Sequence, residues 1–81
     1  MQNRFEQIEI KLVNKIYKIF LIKFEVNKTK FAKASLCSET TVRRVFDSKQ
    51  RMTLDLFLRF WFALDINVQE IFKEIENVNY D

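Results

Sequence analysis

The 81-residue chain has no glycine, no proline and no histidine, and only one cysteine. Without glycine, any turn that needs a positive φ must seat an L-residue against its steric preference. β-Hairpins, whose favoured two-residue turns depend on such positions, are therefore disfavoured. Without histidine the chain lacks the commonest general base near neutral pH and the commonest metal ligand. Cys37 has no second cysteine to pair with, so a reducing cytoplasm is the expected setting. The longest apolar stretch, "IYKIFLIKF", is broken by Lys18 and Lys23 and is too short to span a bilayer. The polar N-terminus lacks the pattern of a signal peptide. These absences predict a soluble protein without membrane, metal or cofactor.

Aromatic mass is abundant: nine Phe, two Tyr and one Trp within a chain that is 48% hydrophobic. A single domain of this size has enough to bury, so disorder is not expected. Charge is distributed unevenly. Residues 28–51 carry a net +5, from Lys28, Lys30, Lys33, Arg43, Arg44, Lys49 and Arg51 against Glu39 and Asp47. Residues 65–81 carry a net −4. A basic block on a small domain suggests a polyanionic partner, although an ordinary solvated face has the same composition.

Four helix starts are legible as polar caps flanked by apolar residues. They are Asn27 between Val26 and Phe31, Ser38 between Cys37 and Val42, Thr53 between Met52 and Phe57, and Asn67 between Ile66 and Ile71. Each cap side chain can accept from an orphan N–H, and each flanking pair can close as a hydrophobic staple. Glu70 sits where it can return a bond to the last cap. Four such signals in order predict an all-α chain with helices over roughly 5–25, 28–35, 39–47, 54–65 and 68–77.

The helix over 54–65 places Phe57, Phe60, Trp61 and Leu64 at helical spacing, as a core stripe. Asp55 and Arg59, four apart, can pair on its outer side. The first helix is broader in its demands. Ile10, Val13, Tyr17, Phe20, Leu21 and Phe24 form one arc, and Phe5, Ile8, Leu12, Ile16 and Ile19 the neighbouring one. Together they span roughly 220° where a core-facing surface helix needs about 100°. Either this helix is sandwiched within the domain or its second arc meets another chain. Phe62 adds to the apolar surplus, and a homodimer through helix 1 or the C-terminal helix is the expected use of it.

Residues 28–72 resemble the lambda-repressor-like, Cro-type helix-turn-helix family. The stretch "KTKFAKASLCSETTVRRVFDSKQRMTLDLFLRFWFAL" follows the family's spacing without a gap, and "INVQEIF" is similar to its closing segment. Phe31 and Ala32 match the core of the second helix, and Ser38 the cap of the third. Val42 and Val45 match the buried side of that helix, Lys49 the basic residue after it, and Thr53 and Leu54 the start of the fourth. The chain departs from the pattern at four places: Leu36 and Ser48 stand where the family has glycine, Lys28 where it usually has glutamine, and Glu39 where it often has a base-reading residue.

The resemblance implies a compact five-helix DNA-binding domain, residues 1–81, with an extended N-terminal helix and a helix-turn-helix motif at about 28–47. It implies sequence-specific binding of double-stranded DNA by a small transcriptional regulator, phage-repressor-like or antitoxin-like. Glu39, Thr40, Arg43 and Arg44 would then face the bases of the major groove, an arginine reading guanine by a bidentate contact. Lys28, Ser38, Lys49, Gln50 and Arg51 would meet phosphates. Glu39 fits this least well, because a carboxylate repels phosphates unless it accepts from cytosine; a place in the helix's first turn suits it equally. The alternative is a helical protein–protein module that kept the fold and lost the groove contacts. Either way, no enzyme is expected: Cys37 lies at an apolar staple position with no histidine partner, and no residues form a catalytic set.

Overall fold

The computed structural model describes residues 4–72. The expected extension of the last helix over 73–77 and the acidic end "EIENVNYD" lie outside them. Five helices follow one another: α1 Arg4–Lys23, α2 Lys28–Ala34, α3 Glu39–Phe46, α4 Leu54–Leu64 and α5 Val68–Phe72. No strand occurs among the described residues, and no helix among them is long and apolar enough to cross a membrane.

The caps set the helix starts. Asn27, Ser38 and Thr53 adopt extended backbone and accept from the N–H three residues on, at Lys30, Thr41 and Leu56 respectively. Asn67 instead takes the N–H two residues on, at Gln69. Cys37, Met52 and Ile66 pack beside the core as staple residues should. Val26 does not. It is 58% exposed in a left-handed conformation, which turns its side chain away from the buried Phe31.

Among the described residues, five without a glycine's freedom take positive φ: Glu25, Val26, Leu36, Ser48 and Asp65. Two of them close helices in the same way. After α2, Leu36 N–H donates to Lys33 C=O and Cys37 N–H to Ala32 C=O. After α3, Ser48 N–H donates to Val45 C=O and Lys49 N–H to Arg44 C=O. Both are Schellman closures with the left-handed residue an L-residue where glycine is usual. Asp65 ends α4 by a single bond to Trp61 C=O. There Lys23, reaching from the end of α1, donates to the carbonyls of Leu64 at 2.8 Å and Asp65 at 3.3 Å. The Trp61 indole N–H takes the next carbonyl, of Ile66, at 2.7 Å.

The core is built on rings. Phe20, Phe31 and Phe60 are wholly buried, and Phe46 lies among them with centroid distances of 5.2 to 5.9 Å. Tyr17 meets Phe46 edge-on at 5.0 Å. Such pairs add about 0.5–1.5 kcal/mol each beyond the area they bury. Val13, Ile16, Val42, Val45, Leu56, Leu64 and Ile71 complete it. On α4 the stripe is shifted from the expectation: Leu56 is buried with Phe60 and Leu64, while Phe57 and Trp61 stand at its margin. α1 lies against α3, α4 and α5. This sandwiching half-buries Ile8, Leu12 and Ile19 of its second arc and leaves Phe5 exposed.

Candidate nucleic-acid interface

The α2–α3 pair is held from inside and open outside. Ala32, 4% exposed, leaves room for the helices to approach, and Val42 and Val45 bury one side of α3. Ser35 is buried in the bend and returns its hydroxyl to Phe31 C=O at 2.7 Å, with Cys37 Sγ 3.3 Å away. The thiol is half-buried. The turn is locked from α4 as well, because Arg59 donates to the carbonyl of Leu36. The Arg59 guanidinium is oriented by Asp55, whose carboxylate it meets at 2.8 Å.

With Val42 and Val45 inward, helical geometry puts Thr40, Arg43 and Arg44 outward, and all three are exposed. Arg44 makes no ion pair among the described residues. Arg43 does: its Nη2 meets Glu39 Oε1 at 2.8 Å, one turn earlier. Glu39 also accepts from Thr29 Oγ1 of α2 at 2.9 Å. The carboxylate that sat awkwardly in the sequence is therefore a brace. It ties α3 to α2, sits in the first turn where the helix dipole favours it, and holds Arg43 in place.

The expected phosphate-contacting residues divide in the same manner. Lys28 is half-buried at the start of α2, and Lys49 is exposed just past α3. Ser38 spends its oxygen on the Thr41 N–H and lies 2.9 Å from the Thr41 hydroxyl. Gln50 is half-buried. Arg51, 79% exposed along its side chain, is engaged by Glu9 of α1, which accepts from its Nε at 3.1 Å and its Nη2 at 2.8 Å. That hydrogen bond, and then the attraction of the Glu9 charge, raise the Arg51 guanidinium above its ordinary range. The other Glu9 oxygen accepts from Met52 N–H at 3.1 Å, which fixes the loop leading into α4.

The basic block is thus only partly available to an anion. Arg44, Lys49, Lys30 and Lys33 are exposed and carry no ion pair among the described residues, whereas Arg43 and Arg51 are each matched by a glutamate. Sequence reasoning missed Thr29, Glu9 and Arg59 as the residues that orient this surface. Their partners lie 10, 42 and 23 positions away, beyond any local pattern. Comparison with models of protein families, with curated proteins and with solved structures finds no match to this chain.

Proposed function

We propose that the chain binds double-stranded DNA as a small, lambda-repressor-like transcriptional regulator of the cytoplasm, laying α3 in the major groove. The observation that carries this reading is the outward face of α3, where Thr40, Arg43 and Arg44 are exposed on a helix locked from behind by Val42 and Val45. Arg44 reads a base edge directly. Arg43 does so once DNA competes with Glu39 for it, and Thr40 bonds a base or touches a thymine methyl. Lys28, Lys49 and Arg51 contact phosphates, setting register and affinity, with Ser38 and Gln50 beside them. A homodimer would read a palindromic site.

A second reading, a helical protein–protein module, is favoured by one observation. Two of the seven cations of the basic block already have glutamate partners within the chain, which lowers the field a phosphate backbone would feel.

The test is fluorescence anisotropy with a labelled random-sequence duplex across a salt series, comparing the native chain with the Arg43→Ala/Arg44→Ala double variant. DNA binding requires affinity that falls steeply with salt. The variant should bind more weakly, with a slope of log affinity against log salt shallower by about 0.9 for Arg44 and by up to about 1.8 to the extent that Arg43 leaves Glu39 for the duplex. A folded native chain that fails to bind at low salt overturns the reading in favour of the protein module.

A further inference from the structure

Helix α4 has a second apolar face that the described residues leave uncovered. Leu54, Leu58 and Phe62 are 72%, 46% and 75% exposed, one turn apart in succession. Residues four apart drift by about 40° around a helix, so the three form one continuous stripe opposite Leu56, Phe60 and Leu64. Leu36, 73% exposed at the tip of the turn, borders the same surface. A shallow groove of about 340 Å³ runs between it and the stripe, with Asp55 and Arg59 on its rim. Isolated exposed leucines are common, but a stripe this regular beside a groove marks an interaction surface.

We infer that this face of α4 pairs with the same face of a second copy, the two helices antiparallel about a two-fold axis at Leu58. The pattern is self-complementary in shape and in charge. With Leu58 on the axis, each Leu54 falls opposite the Phe62 of the other copy, a smaller side chain against a larger one at both ends. A perpendicular two-fold also turns each flank of the helix onto itself in reversed order. Asp55 lies three residues before Leu58 and Arg59 one residue after it. At about 1.5 Å per residue, Asp55 of one copy is offset from Arg59 of the other by only about 3 Å along the axis. Opposite charges therefore meet twice across the interface, and the two Arg59 side chains, also about 3 Å apart along the axis, are each held by Asp55 and the Leu36 carbonyl of their own chain. A parallel arrangement forfeits this, setting the stripe against itself in register and the Asp55/Arg59 flank against the aromatic Phe57/Trp61 flank. The occupant that fits is thus a second copy in reverse orientation. The inference is independent of DNA binding.

The experiment is sedimentation velocity over a roughly thousand-fold range of concentration, together with disulfide trapping in a Cys37→Ser background. The native chain should dimerise, and Leu58→Glu, which sets two carboxylates on the axis, should weaken association at least tenfold while circular dichroism stays helical. Under mild oxidation Leu58→Cys should cross-link to itself, Phe62→Cys alone should not, and the Leu54→Cys/Phe62→Cys double variant should. Three results each overturn the inference: a native chain that stays monomeric, a dimer indifferent to Leu58→Glu, or Phe62→Cys cross-linking as readily as Leu58→Cys.

Discussion

Arg59 of α4 donates from Nη1 to the backbone carbonyl of Leu36, 23 residues earlier, while its Nε is held by Asp55. One guanidinium thus joins the left-handed residue of the turn to the helix behind it. The bond stabilises a carbonyl at a point where the backbone is strained, and it fixes how the turn between α2 and α3 sits on the core. Arg59→Ala should lower unfolding stability by about 1 kcal/mol, below the roughly 1.5–3 kcal/mol of a hydrogen bond to a charged group because both of its bonds are solvent-exposed. Arg59→Lys should recover little of it, since an ammonium cannot reach both partners in the same plane. Urea unfolding of the three proteins checks this; a variant as stable as the native chain would show the bond to be incidental.

The strain itself is measurable. Val26 is β-branched with φ of 67° and Leu36 has φ of 58°, conformations costing an L-residue about 1–2 kcal/mol. Part of any relief from glycine is lost to the greater freedom it gives the unfolded chain, about 0.5–1 kcal/mol. Val26→Gly and Leu36→Gly should therefore each stabilise by up to about 1 kcal/mol, equivalent to a rise in Tm of roughly 4–8 °C for a domain of this size. Ala34→Gly, in the last turn of α2, should do the reverse. Thermal unfolding at low protein concentration, where self-association does not contribute, separates the two signs.

What could be read beforehand follows the range of the interaction. Asn27, Ser38 and Thr53 cap as expected because a cap is a bond between a side chain and a backbone group three residues away, which the sequence contains whole. Leu36 and Ser48 stood out because a family pattern has glycine there. Glu25 and Val26 adopt positive φ with nothing in their identity to mark it, whereas Asp65 belongs to a residue type that tolerates the left-handed region. Periodicity located α4 but placed its buried face slightly wrong, since Leu56 and Trp61 differ little in hydrophobicity and their burial depends on what α1 and α5 set against them. Lys23 capping α4, Glu9 holding Arg51 and Arg59 holding Leu36 span 41, 42 and 23 residues. A pattern of faces says which side chains point outward, not which distant partner each one meets, and the state of the basic surface is decided by those partners.

Glu39 offers a way to tune that surface. Its carboxylate holds Arg43 at 2.8 Å and accepts from Thr29. Glu39→Gln keeps the size and a hydrogen bond for Thr29 while removing the charge that holds Arg43. If α3 lies in a groove, non-specific affinity at low salt should rise several-fold, and the salt slope should steepen by up to about 0.9 as one more cation becomes available to phosphate. Stability should fall by less than about 0.5 kcal/mol, the worth of an exposed pair one helical turn apart. Unchanged affinity and slope would place Arg43 away from the DNA.

Glu9 couples the same surface to α1. It accepts from Arg51 twice and from Met52 N–H once, so it anchors the loop between α3 and α4 and also engages a cation expected to meet phosphate. Glu9→Ala should have two separable effects. Losing the acceptor for the partly buried Met52 N–H should destabilise by about 1–2 kcal/mol. Releasing Arg51 should leave DNA binding equal or tighter in whatever fraction remains folded. Arg51→Ala should act in the opposite sense, leaving Met52 N–H satisfied and stability nearly native while weakening DNA binding with a slope shallower by about 0.9. Denaturant unfolding and anisotropy on both variants distinguish a loop anchor from a phosphate clamp. Arg51→Ala with native affinity and native salt slope would assign the Glu9–Arg51 pair to holding the loop alone.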